Sequence, residues 1–212
     1  MTDAFIDKPE DRADGWQTLV AAVLLGIAAT LTALSAWQAA LTDGDALQGY
    51  TKSNAALSES NFFYQQGNQV LAADQALFTQ FATVSQTDPD LAGYLQTLMR
   101  PELQEALAWW SDQPEDGAQT PFEDVEGNPY VIADFAEGER FAAESAEAYD
   151  VGSTADETGD KFELATVLLA LTLFFGGIAT LFRRAALTHV LLGIGVLTLV
   201  AGVVQVSTAF AA

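Results

Sequence analysis

The sequence contains no cysteine and only one histidine, His189. Disulfide bonds, thiolate catalysis and cysteine-ligated metals are therefore excluded. A lone histidine does not supply the ligand set that a protein-bound metal needs. The piece "EDVEGNPY" resembles a calcium loop around Gly127, but Phe122 then stands where the first carboxylate ligand is required. We expect neither a metal nor a cofactor.

Basic residues are scarce as well. Eight Lys and Arg stand against 29 Asp and Glu, and 23 of these acids lie in residues 42–162 with only four basic residues. So strong a negative field repels nucleic acid, which we exclude as a partner. The acidity suits a halophilic protein, because concentrated salt screens self-repulsion. A charged binding face is the alternative, although the acids are spread along the whole segment.

Strand patterns and catalytic motifs are also missing. No window alternates apolar and polar residues with β-branched enrichment. The chain has no G-x-S-x-G motif, no phosphate-binding loop of the G-x-x-x-x-G-K-[ST] type and no paired acids in apolar surroundings. The sequence predicts an all-α protein that is not an enzyme.

Charged residues are absent from three long apolar windows. At about 1.5 Å per residue, each window is long enough to cross a hydrocarbon core of roughly 30 Å. We predict three transmembrane helices in contact with lipid, at residues 16–41, 163–182 and 187–210. The first window has a competing interpretation as a cleaved signal peptide, with "ALSA" as a cleavage site. Its apolar run is longer than usual, and the residues before it are net acidic.

Two adjacent arginines predict the membrane orientation. Arg183 and Arg184 lie in the short connection 183–189, and short loops that carry Lys or Arg stay in the cytoplasm. The N-terminal tail 1–15 is then cytoplasmic too, whereas segment 42–162 and the C-terminus are extracellular. The apolar windows 16–41, 164–182 and 187–210 hold no Asp, Glu, Lys or Arg, which argues against a pump. A hydrophobically gated pore made of several copies remains an alternative.

The external segment 42–162 is expected to be helical. A proline-free stretch predicts one long helix continuous with the first span, and Pro89 and Pro101 each stand where a short helix would begin. A proline-rich loop follows, and a last helix descends to the second span with a weakness between Gly152 and Gly159. The aromatic residues 62–64 cover so much of a helix that at least two neighbouring elements should pack on them. The prediction is an external helical bundle inserted between the first and second spans.

Small residues in the first span form a heptad stripe that we name the seam. In lipid, close backbone approach through small side chains supplies the packing between helices. The seam therefore predicts a partner helix, either in the same chain at Gly176 and Gly177 or in another copy. The competing interpretation is that alanine is simply common here. The seam consists of Ala22, Gly26, Ala29, Ala33, Ala36 and Ala40.

Trp109 and Trp110 are a candidate partner contact. Adjacent residues on a helix point about 100° apart, so both rings do not face one core comfortably. An exposed tryptophan beside an acidic loop would suit a protein partner. The alternative is that the following loop covers both rings.

Four pieces, "SAWQAALTDGDALQGYTKSNA", "DQALFTQFA", "YLQTLMRPELQEALAWW" and "FELATVLLALTLFFGGIATLFRR", together resemble a group of haloarchaeal three-span membrane proteins of unknown function. The likeness runs from about Leu34 to Arg184 and implies no activity. The layout of span, bundle and span is similar to that of chemoreceptor sensors, by analogy only. We expect a scaffold or accessory subunit that forms a homo-oligomer or joins a larger membrane complex. A ligand-sensing ectodomain is the alternative.

Overall fold

The computed structural model describes residues 9–114, 117–182 and 184–211. These residues form helices and connecting turns, without a strand. Three of the helices contain apolar windows long enough to cross a membrane, which confirms the all-α, three-span prediction at that level. The elements are α1 (Pro9–Val84), α2 (Pro89–Leu98), α3 (Pro101–Ser111), α4 (Ala133–Ala179) and α5 (Ala185–Phe210).

Helix α1 is continuous over 76 residues, so the predicted fusion of the first span with the next helix is confirmed. Its interior contains no proline after residue 9, and Ala, Leu and Gln favour the helical state. The two short helices also begin where the sequence predicts. Asp88 caps α2 by accepting a hydrogen bond from the Leu91 N–H at 3.0 Å, and α2 and α3 each carry proline in the first turn.

The predicted weakness between Gly152 and Gly159 is wrong. Helix α4 runs unbroken through both residues, because these glycines serve close helix packing rather than flexibility. A Cβ placed on Gly49 of α1 would lie 2.5 Å from the Gly152 Cα. A Cβ on Gly159 would lie 2.8 Å from a carboxylate oxygen of Asp43. At Gly49 and Gly152, only glycine permits the two helix backbones to approach so closely, whereas the nearest neighbour of Gly159 is the end of the Asp43 side chain.

The chain forms two compact units. The first consists of Met1–Thr51 and Ala148–Ala212. One of its clusters joins Ala21, Ala179 and Leu192, which belong to the start of α1, the end of α4 and the start of α5. The other cluster joins later α1 residues to the end of α5: Ala39, Phe162, Ala165, Leu169, Val206 and Ala209. Within this unit, α4 therefore runs antiparallel to both α1 and α5.

The second unit is Lys52–Glu147. Its core combines Met99, Leu103 and Leu107 with partly buried aromatic side chains from α1, α3 and the following loop. Nearer residue 60, α1 and α4 pack as a pair: Phe63 stacks on Phe141 with 5.5 Å between ring centroids.

The expectation that two elements cover residues 62–64 is wrong. Tyr64 packs against Phe135 on α4, the helix that also covers Phe63, whereas Phe62 is exposed. Here α4 packs on one face of α1, and Phe62 points away from that face into the solvent-exposed surface of the described chain.

Candidate functional site

The face of α1 that packs inside its own chain is a stripe adjacent to the seam. The buried residues of this packed stripe recur at helical spacing, and Ala28 and Ser35 are completely inaccessible. Consecutive residues on a helix point about 100° apart, so each seam residue lies one position beyond a packed or partly packed one. The buried members of the packed stripe in the span are Ala21, Leu24, Ala28, Ser35 and Ala39.

The seam is exposed along its whole length in the single chain. A Cβ added to Gly26 would meet no atom within 4 Å in the described part of the chain. A strip of one-carbon or absent side chains thus forms a flat surface on the outside of the three-helix unit. The prediction that another copy packs on this strip stays a prediction.

The glycines offered as partners for the seam have different surroundings. A Cβ on Gly176 would lie 3.1 Å from methyl carbons of Leu24 and Leu25, so Gly176 faces the packed stripe. A Cβ added to Gly177 would have no atom within 4 Å in the described part of the chain. In the single chain, neither glycine is therefore placed against the seam.

Polar groups within the three-helix unit are mostly satisfied locally. The hydroxyls of Thr172 on α4 and Thr198 on α5 lie 2.9 Å apart in a hydrogen bond between the two helices. Each hydroxyl also lies within hydrogen-bonding distance of carbonyl oxygens of its own helix, so the one that does not donate across to the other helix can donate to its own. Among the described residues, the Oγ of Ser35 is buried without a hydrogen-bond partner. These few hydroxyls fix helix positions, and they offer no row of ionisable groups for proton or ion transfer.

In the second unit, a buried carboxylate joins three separate parts of the chain. Asp74 of α1 is almost inaccessible and accepts hydrogen bonds from Arg100 Nε at 3.1 Å and Nη2 at 2.7 Å. The Tyr130 hydroxyl donates to the same carboxylate at 2.9 Å. Arg100 also pairs with Glu102 at 3.1 Å. This polar cluster ties α1 to the α2–α3 junction and to the loop before α4.

Two pKa shifts in the polar cluster favour a structural role for it. Burial, and then the hydrogen bond to Asp74, raise the pKa of the Tyr130 hydroxyl well above its usual range. Hydrogen bonding to Asp74 also raises the pKa of Arg100, so the guanidinium stays charged. The arrangement holds the loop against α1, which is a structural role.

Sequence reasoning missed Asp74. The available signal was its position on α1, since Asp74 precedes Leu77, Phe78 and Phe81 at helical spacing and therefore shares their apolar face. An acid on such a face needs a charged or hydrogen-bonding partner. Its partner, Arg100, lies 26 positions away, and only the fold brings the two together.

The two tryptophans are both partly buried. Trp110 donates its indole N–H to the Ala118 carbonyl at 2.8 Å and packs edge-on against Phe78 with 5.6 Å between centroids. Trp109 lies beside Gly127, whose added Cβ would be 3.8 Å from the indole nitrogen. The loop after α3 thus contacts both rings. A partner contact at this position stays a prediction.

The connection between α4 and α5 is short. Arg183 lies outside the described residues, whereas Arg184 directly precedes the first residue of α5. The Thr188 hydroxyl donates to the Phe182 carbonyl at 3.1 Å, which closes the connection. Within this first unit, that connection belongs to the same end as the start of α1. His189 is the fifth residue of α5.

The described residues contain no group of three or more His, Cys, Asp or Glu side chains arranged to hold a metal ion. No protein-family model, curated protein or solved structure matches the chain. The features available for a functional argument are therefore the seam on α1 and the surface of the acidic second unit.

Proposed function

We propose that this chain is a non-enzymatic, multi-pass membrane protein that self-associates through the seam on α1. In this proposal it acts as a scaffold or accessory subunit, with residues 52–147 outside the cytoplasm as a helical interaction unit. The N-terminus is cytoplasmic and the C-terminus extracellular, as the arginine pair at 183–184 indicates. The negative charge of the external unit suits an environment of high salt.

One observation carries the proposal: the seam is free in the single chain. The packed stripe is also made mostly of small residues, and these already supply the close packing inside the chain. The seam adds a second row of small residues, all exposed, that this intrachain packing does not use. A flat strip facing outward gives a helix from a second copy a place to approach closely, and such approach is the main source of helix association in lipid.

The alternatives have less support. A ligand sensor needs a concave site with converging polar groups. The groove on the second unit described below has threonine hydroxyls that bond to their own helix instead. A pore requires several copies around a central path, and the described contacts give no specific reason to choose one. Self-association through α1 remains the most economical proposal.

The test uses the same substitution at neighbouring positions. Ala29→Leu and Ala33→Leu enlarge the exposed seam, so we expect each variant to become monomeric in detergent while its helices remain folded. Ala28→Leu enlarges a side chain that is completely buried in the chain's own bundle, so we expect loss of thermal stability in the monomer itself. Leu34→Ile, which is off the seam and exposed, should change neither property.

Native mass and thermal stability would be measured for all four variants and for the unchanged protein. An oligomer that persists in both Ala29→Leu and Ala33→Leu would refute association through the seam. A monomeric unchanged protein in mild detergent and in lipid nanodiscs would refute self-association altogether.

A further inference from the structure

A shallow apolar groove lies between the end of α1 and α2, entirely within the second unit. Its volume is about 280 Å³, which is at or below the small end of sites for drug-sized ligands, roughly 300–1,000 Å³. The Thr79 and Thr83 hydroxyls donate to carbonyl oxygens one turn earlier in α1, so their protons are already engaged within the helix. The lining consists of Thr79, Gln80, Thr83, Val84, Leu91 and Leu95.

The exposed side of α2 continues this apolar surface. Leu91, Tyr94 and Leu98 are each more than two-fifths exposed. Their spacing of three and four residues places them on one face of the helix. The adjacent face of α2 packs on the unit, since Ala92 and Leu95 are buried, and Leu95 forms part of the groove wall. The groove and the exposed α2 face form one surface, which we name the α2 surface.

The charges around the α2 surface are acidic. Asp88 and Asp90 stand at the start of α2, directly beside Leu91. The whole unit 52–147 has 17 acidic residues and three basic ones. Two of these three already pair within the unit, Arg100 with Asp74 and Glu102, and Arg140 with Glu137 and Glu144. An approaching cation therefore meets attraction here, whereas another copy of this acidic unit meets repulsion.

We propose that the α2 surface docks an amphipathic helix of a partner protein, with apolar side chains toward the groove and Lys or Arg at its flanks. Helices commonly bind in apolar grooves through anchors at positions i, i+3 or i+4, and i+7. The groove has room for a few such side chains. Screening in high salt leaves only close charge contacts, so Asp88 and Asp90 beside Leu91 are the groups that select a basic flank. This inference rests on the proposed role in protein contacts and gives the external unit a partner of defined chemistry.

The probe is a synthetic amphipathic peptide with leucine on one face and lysine on the other. Its charge-reversed control replaces every lysine with glutamate and keeps the leucine face. The full chain is placed in nanodiscs of uncharged phosphatidylcholine, so that anionic lipid does not attract the lysine peptide. Binding is measured by fluorescence anisotropy, with empty nanodiscs as the blank.

We compare the unchanged protein with the double variant Leu91→Ser, Tyr94→Ser. Both side chains are exposed, so the substitutions leave the core intact, which circular dichroism would verify. Leu57→Ser is the matched control, because Leu57 is a comparably exposed leucine of the same unit. We expect the lysine peptide to bind at least about tenfold more weakly to the double variant, since two apolar contacts are lost. Leu57→Ser should leave the affinity unchanged, and the glutamate peptide should not bind.

Three results would overturn the inference: no binding of the lysine peptide, equal binding by the double variant, or equal binding of the glutamate peptide. Equal binding by the double variant would mean that the acidic surface attracts the peptide without a groove. The Ala29→Leu variant separates this inference from the proposed self-association. A monomer that still binds the peptide would support both proposals, whereas an oligomer that fails to bind would overturn the docking site alone.

Discussion

Replacing Gly49 with alanine tests a close approach of two helix backbones within the first unit. The new Cβ would lie 2.5 Å from the Gly152 Cα, 2.6 Å from its nitrogen and 3.0 Å from the Ala148 carbonyl oxygen. All three are backbone atoms of α4, so no flexible side chain can move aside. Since carbon atoms pack at about 3.5–4.0 Å, the two helices would have to separate by about 1 Å.

The expected magnitude follows from two opposing effects. Alanine gains about 1 kcal/mol over glycine in a helix interior. Overpacking of a tight interface costs about 1–3 kcal/mol, and rigid backbone places this case at the upper end. The Gly49→Ala variant should therefore lose about 2 kcal/mol of unfolding free energy relative to the unchanged protein.

Gly44→Ala is the control, because it makes the same change five positions earlier on α1. A Cβ at Gly44 would meet no described atom within 4 Å, so only the helix-propensity gain applies. Thermal unfolding in mild detergent, followed by circular dichroism, should rank Gly44→Ala above the unchanged protein and Gly49→Ala below it. A Gly49→Ala protein as stable as Gly44→Ala would refute the close-approach argument.

Three further predictions concern the polar cluster and the topology. Arg100→Met leaves the buried Asp74 carboxylate without its cation. We expect it to lower the free energy of unfolding by about 2 kcal/mol, less than for a fully buried pair because the Arg100 side chain is 33% exposed. An unchanged midpoint in thermal or denaturant unfolding would contradict this prediction. Because the pKa of Tyr130 is raised on folding, its contribution to stability is fully present below the unfolded pKa of about 10 and is lost as the pH rises through the folded pKa. Tyr130→Phe should therefore remove part of the alkaline destabilisation, as a pH series of unfolding curves would reveal; identical alkaline slopes in both proteins would count against it. A cysteine introduced at Gly117 should react with an impermeant thiol reagent from outside the cell. Replacing the arginine pair at 183–184 should weaken that orientation. Labelling of the unchanged topology only from the cytoplasmic side would contradict the assignment.

Local signals in the sequence were sufficient for much of the fold. Charge-free windows predicted three helices of membrane-spanning length, and Asp88, Pro89 and Pro101 marked two helix starts that the structure confirms. Such features depend on a few consecutive residues. The error at Gly152 arose because glycine weakens an isolated helix but is required where another backbone passes. Whether Gly152 weakens the helix or permits close packing depends on Gly49, which lies far away in the sequence.

The faces of α1 were harder to assign. Ala28 and Ala29 are adjacent alanines in an apolar run, yet one is fully buried in its own bundle and the other is exposed. The sequence pattern does not distinguish Ala28 from Ala29, because the packed stripe and the seam both contain small residues at heptad spacing. Asp74 was missed for a related reason, since its partners Arg100 and Tyr130 are 26 and 56 positions away. Which face packs is a property of the assembled helices.

A cysteine cross-linking scan along α1 tests the central claim most directly. The chain contains no native cysteine, so single cysteines can be introduced from residue 22 to residue 40 and oxidised in the membrane. We expect cross-linked dimers to peak at the six seam positions, in the spacing 4, 3, 4, 3, 4, with minima at the packed stripe, for example at Ala28 and Ser35. A flat profile, or peaks on a different face of α1, would contradict self-association through the seam.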